Sequence, residues 1–460
     1  MTDASSFPAT AGRRWPAAGL ALAIALAAVV EAGAIVVNPK IGAAAAVLPL
    51  LALVVVRPGA GLMLAVAAEV LIPQSVTAGW YVAPALAAAG MAVRREALRI
   101  RLADVAFLSW AAWVSLSWLT HRELAVTTRD FLIRGLLPLS FYVWGRVSVP
   151  SSLVRRVLVV LLGCGTIAAF TVLMEFAARR LIFTSPIGYQ WLASGGLPFR
   201  PAGIFNTPPT ATVSLAMIVL ATAGLVRGPH RRLVLACEVV MILALGATLG
   251  RAGWIGLAAG TVAISVLLPV GKRRRAAILF ALIACAAAFL VIRGPLSHSH
   301  ALEASVVRSQ NTSYRKQLLE VAWPLAIDSP RHILTGRGFL SFLSTSGKHD
   351  LHFRSVDPAL WLVHGGPHDE YMRAFLEQGL IGLGLLVLWF GATIGAGVRA
   401  ARRLAPDSDE RLFLAGLTAA VIAFCAAAFF HDLSHNRPNL ILAALLCGLL
   451  VTMTGRPKPA

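Results

Sequence analysis

The chain has 460 residues, of which 58% are hydrophobic and 13% are charged, and its net charge is +20. A soluble domain usually carries about 25% charged residues, so a large soluble protein is excluded. A disordered chain is excluded too, because disorder combines low hydrophobicity with high charge. The basic residues form short clusters between long apolar runs, which is typical of cytoplasmic membrane loops. No nucleic-acid partner is therefore expected.

The apolar runs predict an all-α polytopic membrane protein, because a helix needs about 20 apolar residues to cross a bilayer core of about 30 Å. The first run follows Arg13 and Arg14 and has features of a signal peptide. It is too long for one and more spans follow, so we interpret it as a retained first span. The clear candidate spans lie near 17–37, 41–56, 102–119, 131–147, 153–176, 209–226, 231–249, 252–270, 276–293, 374–397, 411–430 and 438–454.

Residues 60–93 contain two short apolar runs that Pro73, Gln74 and Ser75 separate. A pair of short spans and a re-entrant hairpin fit this segment equally well, so the total is about 12 to 14 transmembrane helices. The expected organisation is a cytoplasmic tail at 1–16, an N-terminal transmembrane bundle at 17–293, one long periplasmic or extracellular loop at 294–371, C-terminal transmembrane helices at 372–454 and a cytoplasmic tail at 455–460.

The basic residues also predict orientation, because short loops rich in Arg and Lys stay in the cytoplasm. Counting spans from 102 onward puts every basic cluster on one side. The N-terminal arginines join that side only if 60–93 crosses twice, which favours 14 crossings. The opposite face then holds the 178–208 loop, the turn at Gly250 and the 294–371 loop. The basic clusters lie at 94–101, 146–156, 227–232, 272–275 and 399–411.

Three arginines lie in or beside lipid on that opposite face, where a charge is costly. Arg251 is either an interfacial residue or an anion-binding guanidinium, whose flanking glycines would let a bulky ligand approach the backbone. Arg200 lies either in an ordinary external loop or at an anion site, just before a pair of prolines that suit a helix N-terminus. Arg134 is a third candidate anion contact, although pairing with Asp130 explains it equally well.

His368 ends the long loop, directly before the span at 374–397. Histidine is the usual general base near neutral pH, whereas a lone surface histidine is normally inert. Arg200, Arg251 and His368 come from distant parts of the chain, yet the predicted topology puts all three on one face of the membrane. The sequence contains no P-loop, no nucleophile elbow and no zinc-binding histidine pair, so neither a metal nor another cofactor is expected.

Four stretches of the chain share motifs with one family. Residues 199–206 resemble an Arg-x-x-Gly-x-Phe-x-Asn segment, and 250–254 resemble Ser-Arg-Gly-x-Trp. The stretch 314–339 is similar to an Arg…Pro-x-x-Gly-x-Gly-x-Phe pattern. Residues 367–382 resemble the most specific motif, His-Asn-x-x-Leu…Gly-Leu-Ile-Gly. The family is the bacterial O-antigen ligase superfamily, which includes related polysaccharide polymerases.

This resemblance implies a C-type membrane glycosyltransferase at the outer face of the bacterial inner membrane. Such an enzyme transfers a glycan from an undecaprenyl-pyrophosphate carrier to an acceptor hydroxyl, with inversion. The acceptor is a lipid A–core or another glycan, and membrane lipid surrounds the protein. Arg200 and Arg251 match the family positions that bind pyrophosphate, and His368 matches its catalytic base. The further site residues that we take from the motifs and the span assignment are Arg134, Asn206, Arg315, Asp369 and Tyr371.

The sequence departs from the family pattern at three positions. Gly250 stands in place of Ser, Ala252 in place of Gly, and Asp369 in place of Asn. A carboxylate at 369 would raise the pKa of His368 and could bind a sugar hydroxyl. The motifs do not separate a ligase from a polymerase. A transporter of an anionic solute is the alternative function, although the sequence lacks the internal repeat usual in transporters. If the protein is instead a non-catalytic scaffold, the predicted location of Arg200, Arg251 and His368 on one face is a coincidence.

Overall fold

The computed structural model describes residues 58–71, 100–121, 131, 135, 137–148, 151–183, 201–205, 207–248, 250–268, 309–342, 367–406, 408–431, 433 and 437–455. These residues form α-helices and two short 3-10 helices, Gly203–Phe205 and Ala223–Arg227, and no strand is found among them. The α-helices are α1 Pro58–Leu71, α2 Leu102–Thr120, α3 Leu137–Ser148, α4 Ser151–Ala178, α5 Pro208–Thr222, α6 Arg231–Ala247, α7 Arg251–Leu267, α8 Ser309–Ile327, α9 Pro330–Thr335, α10 Glu370–Arg403, α11 Asp409–Ala428 and α12 Arg437–Met453.

Five helical segments of the described chain are long and apolar enough to cross a membrane: Leu102–Thr120, Leu153–Ala178, Pro208–Arg227, Glu370–Arg403 and Asp409–Ala428. All five coincide with predicted spans, and the all-α polytopic class is confirmed. The prolines at 208 and 209 begin α5, as expected for a helix N-terminus. The predicted spans at 17–37, 41–56 and 276–293 and the segment 72–93 lie outside the described residues. The total number of spans therefore stays a prediction.

Helices α5, α7 and α11 pack closely, and small residues set the spacing between them. Gly256 and Gly260 of α7 face Ala423 and Ala419 of α11, where an added Cβ would lie 2.7 and 2.9 Å from the backbone oxygens. Such close backbone approach is usual between helices in membranes. The order of these contacts makes α7 and α11 antiparallel. Helix α5 is parallel to α7, because Thr212 near its start meets the start of α7.

Several basic residues that the sequence assigns to one side gather at one end of this bundle. Arg146 Nε, at the end of α3, lies 3.0 Å from Asp104 Oδ1 at the start of α2. Arg411, at the start of α11, donates to the Leu267 carbonyl at the end of α7 at 2.9 Å. It also donates to the carbonyl of Leu404, directly after α10, at 3.2 Å. We call this the basic end, defined by Arg101, Arg146, Arg399, Arg403 and Arg411.

Helix α10 is broken near its start, at Gly379, where φ is 68° and ψ is −172°. A break leaves backbone carbonyls without helical partners, and such groups need other donors. The Arg337 amide donates to the Leu376 carbonyl at 2.9 Å, and the Gly338 amide donates to the Glu377 carbonyl at 2.9 Å. Trp113 Nε1 of α2 donates to the next carbonyl, that of residue 378, at 2.9 Å. The loop after α9 and one tryptophan of α2 therefore complete the broken turn.

The predicted external loop thus contains helices that dock on the membrane bundle. Leu318 and Ala322 of α8 pack with Phe342 against Phe375 and Leu376 of α10 in a separate buried cluster. The Arg337 guanidinium ties the loop to α8, since its Nε donates to the Leu325 carbonyl at 2.6 Å. The same arginine pairs with the carboxylate of residue 328. Part of the 294–371 segment is therefore fixed rigidly above the start of α10.

Gly379 allows a direct test of this docking. An added Cβ would lie 2.2 Å from the Leu334 carbonyl oxygen, and a positive φ strains any L side chain. We expect Gly379→Ala to lower the apparent melting temperature of the purified protein and to speed proteolysis within 309–342. Gly384→Ala is the matched control in the same helix, because among the described residues an added Cβ there meets no atom within 4 Å outside the backbone of its own helix. Equal melting temperatures for the two variants would contradict this assignment.

Candidate functional site

His368 lies at the start of α10, held between a buried proline and the first helical turn. Pro367 is buried, and His368 is partly buried with a φ of 55°. Positive φ is uncommon for residues other than glycine, and histidine is among those that adopt it more often. Such strained backbone is frequent at functional sites. The chain turns sharply here, so the imidazole stands just before the N-terminus of α10.

Asp369 is the N-cap of α10. Its Oδ1 accepts the amides of Tyr371 at 2.9 Å and Met372 at 3.0 Å. Asn and Asp are about equally good N-caps, so the replacement of Asn by Asp at this motif position keeps the local structure. Burial raises the pKa of Asp369, and the two amide hydrogen bonds lower it by less. The carboxylate that the sequence suggested for a sugar hydroxyl is thus engaged by its own helix.

The end of α11 forms a wall beside His368. The imidazole of His431 meets that of His368 edge to face, with ring centroids 5.2 Å apart. Tyr371 donates its hydroxyl to the Cys425 carbonyl at 2.9 Å, and its ring packs 4.4 Å from Phe429. Tyr371 therefore fastens α10 to α11. The sequence reasoning missed His431; the available signal was a histidine directly after an apolar run on the predicted outer face.

Arg251 is the first residue of α7, and its side chain is exposed. The free amides of a helix N-terminus favour an anion beside it. The expectation that the flanking glycines make room for a ligand is wrong. A Cβ at Gly250 or Gly253 would lie 2.0 or 2.5 Å from side-chain atoms of Thr212 in α5. The glycines admit the neighbouring helix, which brings the start of α7 against the start of α5.

The segment that follows Arg200 is anchored to the end of α4 by a buried carboxylate. Glu175 is fully buried, and its Oε2 accepts the amides of Ala202 at 3.0 Å and Gly203 at 2.8 Å. Its Oε1 accepts the amides of residues 182 and 183. Gly203 has a φ of 55°, and an added Cβ would lie 2.3 Å from Thr171 Oγ1. The glycine of the first motif is therefore required by the close contact with α4.

These three segments lie at the end of the bundle opposite the basic end. The segment 201–205 leads into α5, whose start packs against the start of α7. Helix α7 is antiparallel to α11, so Arg251 lies at the end of the bundle where α11 finishes. That end of α11 contacts the start of α10 through His431 and Tyr371. The structure thus places Arg251 and His368 at one end, as the topology predicted.

A buried ion network lies directly below His368 in α10, and sequence reasoning missed it too. Arg373 Nη2 lies 2.6 Å from Glu370 Oε1, and its Nη1 lies 3.5 Å from Glu377 Oε2. The three residues are 3%, 4% and 0% exposed. Their spacing of three and four residues is the signal that predicts pairing on a helix. The Glu377 backbone carbonyl accepts the amide of Gly338 at 2.9 Å, which links this network to the loop.

Of the remaining predicted site residues, most lie outside the residues that the structure describes. Arg134, Arg200 and Asn206 lie outside the described residues. Arg315 belongs to α8, and only its backbone is among the described parts of the chain. Within that part, no group of three or more His, Cys, Asp and Glu side chains is placed to hold a metal ion.

The described helices define the protein as an all-α polytopic membrane protein. A histidine and an arginine stand at the start of two of its helices, at the same end of the bundle. Residues 236–387 match the family model described as O-antigen ligase. The resemblance to the O-antigen ligase superfamily is thereby confirmed, and the matched segment includes Arg251, Arg315 and His368. No curated protein matches the chain in sequence. The family match supports a membrane glycosyltransferase of the O-antigen ligase or polymerase type.

The N-cap role of Asp369 gives a test with a definite sign. A raised folded-state pKa means that the fold disfavours the ionised carboxylate, so stability falls as pH rises through that pKa. Asp369→Asn keeps the cap and cannot ionise. We expect its apparent melting temperature at pH about 7 to equal or exceed that of the wild type, with the difference shrinking toward pH about 4. Asp369→Ala should lose about 1 kcal/mol at either pH. Equal destabilisation by Asn and Ala would rule out the cap.

Proposed function

We propose that the protein transfers a glycan from undecaprenyl pyrophosphate to a hydroxyl of an acceptor, at the outer face of the bacterial inner membrane. The acceptor is a lipid A–core in the case of a ligase, or another carrier-linked glycan in the case of a polymerase. The reaction inverts the anomeric centre and uses no metal or other cofactor. The observation that supports this proposal is that Arg251 and His368 both lie at the end of the bundle opposite the basic end.

The chemistry assigns a role to each group. The acceptor oxygen attacks the anomeric carbon, its proton passes to the His368 imidazole, and the bond from that carbon to the pyrophosphate oxygen breaks. The leaving lipid pyrophosphate then carries the negative charge. Arg251, together with Arg200, would bind it, since a guanidinium binds phosphate oxygens in pairs. Asp369 and the network around Arg373 act on the reaction through the position of His368.

The 294–371 segment is proposed to bind the acceptor. Two of its helices, α8 and α9, lie against the start of α10, where His368 stands. An acceptor bound to these helices would be held beside the base, and such positioning contributes strongly to rate. The same location serves a ligase and a polymerase. The two differ only in which acceptor the segment recognises.

Purified protein supplied with an undecaprenyl-pyrophosphate glycan and either acceptor tests the proposal, with product followed on a gel. Loss of a general base costs about 10²–10⁴-fold in rate, and we expect His368→Asn to show this loss. Asparagine tolerates a positive φ, so folding should survive. His230→Asn, at an exposed position just before α6, is the matched control and should remain active. Full activity of His368→Asn would refute the mechanism.

The same transfer assay tests the role of Arg251. Arg251→Ala should lose transfer, and Arg251→Lys should recover only part of it, because lysine keeps the charge but not the paired hydrogen bonds. Arg156→Ala changes an exposed arginine near the start of α4, and it should have no effect. Uptake of a radiolabelled anion into vesicles, with no transfer in any variant, would favour the transporter instead.

His431 is proposed as a positioning residue that fixes the His368 ring by edge-to-face contact. His431→Phe keeps an aromatic ring and removes both nitrogens, whereas His431→Ala removes the ring. We expect Phe to retain most transfer activity and Ala to lower kcat by about 10²-fold with little change in KM. If Phe and Ala lose activity equally, His431 takes part in proton transfer rather than in positioning.

A further inference from the structure

The basic end contains a groove between the start of α2 and the last turns of α10. It encloses a cavity of about 220 Å³. Three arginines line it, Arg101 before α2 and Arg399 and Arg403 on α10, and none of the described residues that line it is a carboxylate. Arg399 and Arg403 are exposed and lie one helical turn apart. A cavity lined by three guanidinium groups is a site for an anion.

The neighbouring acidic residue does not neutralise this cavity. Asp104 is buried, and its carboxylate accepts hydrogen bonds from Tyr142 at 2.7 Å and Arg146 at 3.0 Å. The Arg101 guanidinium is oriented by a hydrogen bond to the Thr454 hydroxyl beyond α12. Within the described residues, neither Arg399 nor Arg403 forms an ion pair. The charges of Arg399 and Arg403 are therefore available to an anionic group.

Apart from Thr454 and the three arginines, the residues that line the groove are apolar, and most of them are alanines. Ala392, Ala396 and Ala400 follow one another at intervals of four along α10 and line it on one side. At 1.5 Å per residue this stripe extends about 12 Å from the basic end toward the middle of the bundle. Leu102 at the rim is 60% exposed, and Val105 one turn further is 49% exposed. The groove therefore opens onto an apolar surface of the kind that faces lipid.

We propose that this groove binds an anionic phospholipid, with its phosphate beside Arg399 and Arg403 and an acyl chain along the alanine stripe. Basic pockets between transmembrane helices bind anionic head groups, and guanidinium groups suit phosphate geometry. The preference for basic residues in cytoplasmic loops accounts for the arginines. It does not account for a cavity walled by alanines between them. The bound lipid would join α2 to α10, the helix that carries His368 at its other end.

The test uses the full-length protein in a neutral detergent, with lipid binding measured by native mass spectrometry and by the shift in melting temperature. Phosphatidylglycerol is the probe, and phosphatidylcholine and inorganic phosphate are added in separate arms. A ligand that binds the folded state raises its stability, so phosphatidylglycerol alone should raise the melting temperature. The readout does not involve glycan transfer, so it stands or falls separately from the proposed function.

One variant tests whether the arginine charges are needed for lipid binding, and another tests whether the space in the groove is needed. The double variant Arg399→Gln, Arg403→Gln should bind phosphatidylglycerol at least about tenfold more weakly, since each charged hydrogen bond contributes appreciably to affinity. Ala396→Phe should weaken binding similarly by filling the groove while it keeps every charge. Arg402→Gln removes an exposed arginine of the same turn that does not line the cavity, and it should bind like the wild type.

Three results would overturn the proposal. Equal weakening by Arg402→Gln would reduce the effect to general surface charge. A stabilising shift with inorganic phosphate as large as that with phosphatidylglycerol would make this an anion site rather than a lipid site. Normal lipid binding by a folded Ala396→Phe would exclude the groove. If that variant does not fold, the comparison of the arginine double variant with Arg402→Gln decides the outcome.

Discussion

The architecture of the site depends on one break in a helix. Helix α10 cannot satisfy its own carbonyls at Gly379, and an unsatisfied backbone group in an apolar environment costs several kcal/mol. The amides of Arg337 and Gly338 and the indole of Trp113 supply the missing hydrogen bonds. This one requirement joins the external helices, the membrane bundle and the start of α10. The first turns of α10 are thereby directed at the end of α11, where His368 meets His431.

Buried carboxylates fix the polar end of the bundle more than apolar packing does. The Glu175 carboxylate accepts four backbone amides, and the Glu377 carboxylate pairs with Arg373. Removing one partner of a buried ion pair costs about 3–5 kcal/mol, so each contact strongly favours a single arrangement. Apolar side chains in lipid distinguish poorly between alternative packings. Polar contacts therefore specify where the site residues stand.

The two ends of the bundle use arginine differently. At the basic end, Arg146 and Arg411 bond to protein groups and close the helix ends, and the arginines of the groove line a cavity. At the opposite end, Arg251 is exposed at the N-terminus of α7, which packs against the start of α5. Arg373 is nearby in sequence to His368, yet it is buried between two glutamates. Exposure, rather than residue type, distinguishes Arg251 from the buried Arg373.

The sequence by itself determined the all-α membrane class, the position of each described span and the family motifs, because apolar length and basic loops are local properties of the chain. It also identified His368 and Arg251 as residues on one face. It did not reveal why Gly250 and Gly253 are glycines, since the reason is Thr212, some 40 residues earlier in the chain. Nor did it reveal that Asp369 caps its helix or that His431 touches His368. Only the tertiary structure decided these points, because each depends on groups that distant helices bring together or on the angle at which a chain segment enters a helix.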